Sequence, residues 1–189
     1  MKYLIILIGL PGSGKTTLAK KIVERYGCDF FSSEIVGAQL DRYQSIKEDR
    51  DFSDAKQEEI YEKLSVDVSS SLQNNNAVVE GVFRSKSQRK KIDAVYSRMK
   101  EIYKDLTYFK FRIICDTDVA IERVNMRKKN GTISPAGANT LFEVSKQYEV
   151  PSEDEGFVVL DNSASIEDAF EIISSCINER IGFPLKQHK

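Results

Sequence analysis

The stretch that decides the fold is Gly9-Leu10-Pro11-Gly12-Ser13-Gly14-Lys15-Thr16, which matches the pattern G-x-x-x-x-G-K-[ST] at every fixed position. Glycines let the backbone wrap tightly so that N–H groups face an anion, and a helix beginning there adds its N-terminal dipole. We therefore predict that this loop, extended by Thr17, binds the phosphates of a nucleotide. Lys15 would reach the β- and γ-phosphates, and the hydroxyl of Thr16 would bind Mg²⁺.

The segments beside this loop have the expected patterns. Residues 3–8 form a continuous apolar run, typical of a central parallel strand covered on both faces. After the loop, apolar residues at 18, 19, 22 and 23 recur with helical spacing, and Gly27 is a suitable helix end. A strand, a phosphate loop and a helix are thus predicted in succession.

Strands and helices alternate along the rest of the chain. Further strands are predicted at 28–31, 77–82, 107–115 and 157–160, and helices after Ser33 and at 55–72, 85–104, 118–129 and 166–181. This order predicts an α/β fold, the three-layer sandwich of P-loop NTPases, with a parallel sheet of about five strands and helices on both faces. We expect one domain over 1–189, with a small lid at about 127–140.

Composition excludes several classes of function. The formal net charge of -1 gives no global attraction to nucleic acid or membranes, and no stretch approaches the roughly 20 apolar residues of a membrane span. Three widely spaced cysteines argue against a disulfide framework or a zinc site, and indicate a reducing cytoplasm. The only histidine is His188, next to the end, so acid–base chemistry is expected from carboxylates.

Two glutamates follow strands on the expected ligand side of the sheet. Glu34 follows the second strand, where a carboxylate could orient an attacking hydroxyl; the alternative is a glutamate that stabilises a helix N-terminus. Glu80 ends the third strand, where an acid could hold Mg²⁺ or its water shell, although acids after apolar runs are common.

Basic residues follow in two places. Arg84 and Arg89 belong to a basic patch after the third strand; either could bind a substrate anion, or the patch could be a solvated helix face. Arg123 and Arg127 lie four residues apart on one helical face directly before the expected lid. They could offset the charge that develops during phosphoryl transfer, or simply complement the helix dipole.

These motifs together resemble the P-loop kinases grouped around the kinase domain of phage polynucleotide kinase, the zeta-toxin-like kinases and chloramphenicol phosphotransferase. The resemblance is specific at residues 9–17 and follows most of the chain. Ser33-Glu34 stands where relatives usually carry Ser-Asp, which implies that Glu34 activates the acceptor hydroxyl. Glu80-Gly81-Val82-Phe83 replaces an Asp-x-Thr-Phe string, with Arg89 nine residues on, and Tyr148-Glu149-Val150-Pro151 is similar to a string before the last strand.

Three functions are consistent with these residues. The first is transfer of the γ-phosphoryl group of ATP, with GTP as the alternative nucleotide, to a hydroxyl of a small molecule in the presence of Mg²⁺. The second is 5′-phosphorylation of polynucleotides, which is disfavoured because Gly37 stands where relatives often have an arginine. The third is a nucleotide-binding regulatory protein with a degenerate catalytic site.

Overall fold

A single parallel sheet organises the computed structural model, which describes residues 1–43, 54–129 and 138–182. Its strands are β1 (Tyr3–Ile8), β2 (Asp29–Ser32), β3 (Ala77–Gly81), β4 (Thr107–Ile114) and β5 (Val158–Asp161). The spatial order is β2-β3-β1-β4-β5, and every pairing is parallel. The first strand therefore lies at the centre, as its apolar run predicts.

Helices cover both faces of the sheet. Within the described ranges they are α1 (Lys15–Tyr26), α2 (Ser33–Tyr43), α3 (Asp54–Asn74), α4 (Lys86–Ile102), α5 (Thr117–Lys129), α6 (Ala138–Lys146) and α7 (Ile166–Ile181). A short 3₁₀ helix spans Glu153–Glu155. The predicted three-layer P-loop fold is confirmed.

Alternate residues of β1 build two separate cores. Leu4, Ile6 and Ile8 pack among residues of α3 and α4, whereas Ile5 and Leu7 pack among residues of α1 and α7. All six residues of β1 are buried. A strand buried on both faces cannot alternate apolar with polar residues, which is why the sequence shows an uninterrupted apolar run.

The sequence interpretation missed α6. Residues 130–139 read as a loop, but a nine-residue helix begins at Ala138 and buries Leu141. The rest of the expected lid, 130–137, lies outside the described residues, so the lid stays a prediction, as does one domain over 1–189. In the described part of the chain, no helix has the length and apolar character needed to cross a membrane.

Candidate nucleotide and acceptor site

The phosphate loop joins the end of β1 to the start of α1 at the centre of the sheet. Gly9, Gly12 and Gly14 all have positive φ, and added Cβ atoms would lie 2.2 Å from the carbonyl oxygen of Ile113, 2.6 Å from that of Ala120 and 2.2 Å from Nδ2 of Asn162, respectively. All three positions therefore require glycine, both because of the backbone conformation and because a side chain would collide with its neighbours. The surrounding elements hold the loop tightly on three sides.

Carbonyl oxygens of the loop are bound from outside. Asn162 donates from Nδ2 to the carbonyl of Ser13 at 2.8 Å, and Arg123 donates from Nη1 to the carbonyl of Gly12 at 3.5 Å. Fixing carbonyls outward favours amide groups on the enclosed side, the arrangement that anion-binding nests use. Asn162 was not predicted as a site residue from the sequence. The one feature that could have indicated it is its position directly after the last strand.

Lys15 lies inside the loop and is 7% exposed. Its Nζ donates to the carbonyl oxygen of Leu10 at 2.8 Å and to Oγ of Ser13 at 3.4 Å. Burial lowers the pKa of this amine, while the nearby carboxylates of Glu80 and Glu34 act to raise it. A buried cation held over a nest of amides attracts anions far more strongly than a hydrated surface lysine would.

Glu80 is the next-to-last residue of β3 and lies beside the loop, paired in register with Leu7 of β1. It is 2% exposed, and Ser32 at the end of β2 donates a hydrogen bond of 2.5 Å to its Oε1. Burial raises the pKa of the Glu80 carboxyl; Lys15, and more weakly Arg127, oppose that rise. The acid is therefore held in place by its neighbours, and it gains most from a cation that restores its charge.

Glu34 lies in the first turn of α2, directly after β2, and is partly exposed. Its charge raises the pKa values of both Lys15 and Glu80. Arg127 acts on the same two groups in the opposite direction. The structure thus brings Glu34, Glu80, Lys15 and Arg127 within electrostatic influence of one another beside the loop, and their roles in binding and catalysis stay predictions.

A magnesium ion fits the residues at this edge of the sheet. Thr16 is the second residue of α1, next to Lys15, and Glu80 presents a buried carboxyl whose pKa is raised by its removal from water. Mg²⁺ binds in such sites through one or two protein oxygens, with water and phosphate oxygens as its other ligands. Among the described residues there is no group of three or more His, Cys, Asp or Glu side chains that could hold a metal ion.

Arg89 has a different place from the one predicted. Its side chain is 1% exposed, and it donates from Nε and Nη2 to the carboxylate of Glu155 at 2.6 and 2.9 Å. Nη1 donates to the carbonyls of Phe83 and Glu149. Because the guanidinium is occupied inside the protein, this geometry favours a structural role over binding of a substrate anion.

Arg84 is closer to the surface than Arg89. It donates to the side chains of Gln147 and Asp54, and the Asp54 carboxylate is fully exposed. Such partners exchange readily with solvent and with other anions. The substrate role predicted for Arg84 therefore stays a prediction.

The backbone between β3 and α4 is held in an unusual conformation. Phe83 is a non-glycine residue with φ 50°, and its N–H donates to the hydroxyl of Tyr61 at 2.9 Å. The two rings also pack with centroids 4.7 Å apart. Left-handed backbone costs a bulky residue roughly 1–2 kcal/mol, so α3 fixes this loop beside Glu80.

A comparison of the sequence with models of protein families identifies the family of this chain. The model of the AAA domain matches residues 8–139, well over half of the chain and including the phosphate loop, Glu34, Glu80 and α5. The chain belongs to the AAA domain family. No curated protein sequence matches this AAA domain protein.

Solved structures share its fold. A sugar kinase from Janibacter sp. HTCC2649 has a TM-score of 0.69 at 17% identity, covering 94% of this chain and 95% of that one. A gluconokinase from Sinorhizobium meliloti 1021 has a TM-score of 0.66 at 17% identity, covering 97% of each chain. A putative kinase from Chloroflexus aurantiacus J-10-fl has a TM-score of 0.72 at 19% identity, covering 96% of each. The AAA domain protein therefore has the fold of these P-loop proteins along nearly its whole length.

Proposed function

We propose that this AAA domain protein is a kinase that transfers the γ-phosphoryl group of ATP to a hydroxyl of a small molecule. The observation that carries the proposal is the cluster of Lys15, Glu34, Glu80 and Arg127 around one glycine-rich loop. The cluster supplies a phosphate-binding cation, an acid beside the expected metal position and a second acid for the acceptor. The similarity in fold to proteins described as sugar kinase and gluconokinase supports it further.

The residues would divide the chemistry as follows. The acceptor oxygen bonds to the γ-phosphorus, the bond from that phosphorus to the β–γ bridging oxygen breaks, and ADP leaves. Glu34 orients the hydroxyl and receives its proton, while Lys15 and Arg127 balance charge on the transferring group. Arg123, which binds the carbonyl of Gly12, holds the loop in its binding conformation.

Mg²⁺ would be held by the hydroxyl of Thr16 and, directly or through water, by Glu80. A bound Mg²⁺ neutralises phosphate charge and orients the nucleotide. ATP is proposed as the nucleotide, with GTP as the alternative. The finer kinship with polynucleotide kinase, zeta-toxin-like kinases and chloramphenicol phosphotransferase is also part of the proposal and rests on the sequence motifs alone.

The test is a product assay with purified full-length chain. Mg-ATP is incubated with a panel of alcohols, sugars, nucleosides, hydroxy acids and 5′-hydroxyl oligonucleotides, and phosphorylated products are identified by mass spectrometry. We expect a product from a small molecule and none from oligonucleotides. If nucleotide binds but no compound is phosphorylated, the protein is a nucleotide-binding regulator and the kinase proposal is wrong.

Two variants assign the roles. Lys15→Ala should abolish detectable binding of Mg-ATP, whereas Lys20→Ala on the exposed face of α1 should leave it unchanged. Glu34→Gln should retain nucleotide binding and lower kcat by about 100-fold or more, the usual scale for a positioned base. Glu171→Gln, an exposed glutamate of α7, is the matched control and should leave kcat unchanged.

A further inference from the structure

One tyrosine of α3 contacts both of the turns that carry the acids of the site. Tyr61 is 2% exposed, and its hydroxyl accepts a hydrogen bond of 2.9 Å from the backbone N–H of Phe83, three residues after Glu80. The side chain of Ser33, the residue directly before Glu34, forms a hydrogen bond with the same hydroxyl. One buried oxygen atom therefore joins the turn after β3 to the first turn of α2.

The two turns also pack directly against each other. A Cβ atom added at Gly81 would lie 2.6 Å from Oγ of Ser33 and 3.2 Å from Cε2 of the Phe83 ring. Gly81 is the residue after Glu80, so the end of β3 and the start of α2 approach each other as closely as the backbone allows. Any movement of one turn is therefore transmitted to the other, provided that both stay fixed to Tyr61.

The tyrosine itself is firmly anchored. Its ring belongs to the core between the sheet and α3, together with Leu64 and Val68 of the same helix. Burial raises the pKa of Tyr61 to about 12, so the hydroxyl stays uncharged at neutral pH. Because Phe83 is fully buried, its N–H has no water to replace the tyrosine oxygen as acceptor.

The two acids need such a link because they repel each other. The charge of Glu34 raises the pKa of Glu80, in addition to the larger effect of burial, which shows that the two carboxyl groups interact. Glu80 is held by its hydrogen bond from Ser32. Glu34 is partly exposed in the first turn of α2, so its distance from Glu80 depends on what holds that turn in place.

We propose that Tyr61 is a positioning residue that fixes the separation between Glu34 and Glu80. Its hydroxyl acts through Ser33 on one side and through Phe83 on the other. This inference rests on the proposed function and deepens it, since the separation matters to a kinase in which one acid receives the acceptor proton and the other holds the metal. A displacement of about 1 Å costs a reaction on the order of 100-fold in rate, so a smaller shift should still be measurable.

The first experiment removes only the oxygen atom. Tyr61→Phe keeps the ring and its packing, and we expect kcat to fall about tenfold, both for the acceptor that the product assay identifies and for ADP release with water as the acceptor. The Kd of Mg-ATP should change by no more than about twofold, because the phosphate loop is untouched.

Tyr103→Phe is the matched control. The hydroxyl of Tyr103 also donates to α3, to the carbonyl of Gln73 at 2.9 Å, about three turns along the helix from Tyr61. Its removal should leave kcat unchanged. Circular dichroism and thermal melting show that each variant is folded.

A second background separates positioning from a purely structural role. In Glu34→Gln the group that Tyr61 positions is no longer a base, so adding Tyr61→Phe should lower kcat by no more than about twofold further. The decrease in Tm caused by Tyr61→Phe should be the same in both backgrounds. A purely structural residue would lower kcat equally with and without Glu34.

A third measurement tests the contact without relying on catalysis. Urea unfolding is compared for Ser33→Ala, Tyr61→Phe and the double variant. Because the two side chains share one hydrogen bond, the double variant should lose clearly less stability than the sum of the two single losses. Ser33→Ala combined with Tyr103→Phe should be additive, since those residues share no partner.

The results separate this inference from the proposed function. It is overturned if Tyr61→Phe keeps the kcat of the wild type, if its loss of rate persists in full in Glu34→Gln, or if its loss of stability adds fully to that of Ser33→Ala. In each of these cases the kinase proposal still stands. If the wild type transfers phosphate neither to a compound of the panel nor to water, the kinase proposal fails and this inference fails with it.

Discussion

Glu155→Gln should strongly destabilise the protein, although the residue lies far along the chain from the phosphate loop. The carboxylate of Glu155 accepts hydrogen bonds of 2.6 and 2.9 Å from Arg89, and the two side chains are 7% and 1% exposed. The amide of glutamine has nearly the same shape but no charge. The change therefore leaves the Arg89 guanidinium buried without an anion and adds an NH₂ group facing one of its donors.

Breaking a buried ion pair by removing one partner costs about 3–5 kcal/mol. A domain has roughly 5–15 kcal/mol of total stability, and for a chain of this size about 1 kcal/mol shifts Tm by about 2–4 °C. Tm should therefore fall by roughly 6–20 °C. Replacing both partners, as in Arg89→Met with Glu155→Leu, should recover much of this loss because no unpaired charge stays buried.

The assay is thermal and urea unfolding followed by circular dichroism. Glu153→Gln is the matched control: Glu153 is exposed in the same 3₁₀ turn, and its change should alter stability by no more than about 0.5 kcal/mol. If Glu155→Gln unfolds like the wild type but binds acceptor more weakly, Arg89 is a substrate residue after all. The structural reading of the pair would then be refuted.

The ion pair between Arg89 and Glu155 also determines the direction in which stability changes with pH. The hydrogen bond from Arg89 lowers the pKa of Glu155 from its ordinary 4.5 in the folded protein. Because the folded value lies below the unfolded one, the stabilisation is fully present above pH 4.5 and is lost as pH falls through the folded pKa. The difference in stability between wild type and Glu155→Gln should therefore shrink below pH 4.5.

Three further predictions concern the phosphate loop. Gly14→Ala should abolish nucleotide binding and lower Tm, because φ is +94° and the new Cβ would lie 2.2 Å from Nδ2 of Asn162; unchanged affinity in a fluorescent-nucleotide titration would contradict the geometry. Asn162→Ala, which loses the 2.8 Å hydrogen bond to the carbonyl of Ser13, should weaken ATP binding about tenfold, whereas Ser163→Ala, at a half-buried neighbouring residue that does not contact the loop carbonyl, should not. Glu80→Gln should bind ATP equally well with and without Mg²⁺, whereas wild type should bind Mg-ATP more tightly; a retained Mg²⁺ effect measured by calorimetry would place the metal elsewhere.

The sequence predicted the centre of the fold well because short-range patterns specify it. A strand buried on both faces must be apolar throughout, and a phosphate loop needs glycines at fixed spacing, so residues 3–16 could be read without knowledge of their neighbours. The order of strands and helices followed from periodicity. The assignment of Glu34, Glu80 and Lys15 to one edge followed from the rule that parallel strands end together, whereas Arg127 was assigned from its place on the helix before the expected lid.

What the sequence could not show depends on contacts between distant residues. Asn162 carries no motif, and its contact with Ser13 spans 149 positions. Arg89 belongs to a basic patch on α4, and only the fold brings Glu155 to it. The helix α6 was missed because it is short and follows loop-forming residues.

The walls of the phosphate loop come from almost the whole length of the chain, and this has a consequence for biosynthesis. Gly9 lies against Ile113, Gly12 against Ala120 and Gly14 against Asn162, so a ribosome that has released only the first half of the polypeptide exposes the loop without these three contacts. Such long-range closure makes folding slow. We therefore expect a nascent chain to bind nucleotide only after β5 has emerged and docked, so that ATP would not assist the early stages of folding.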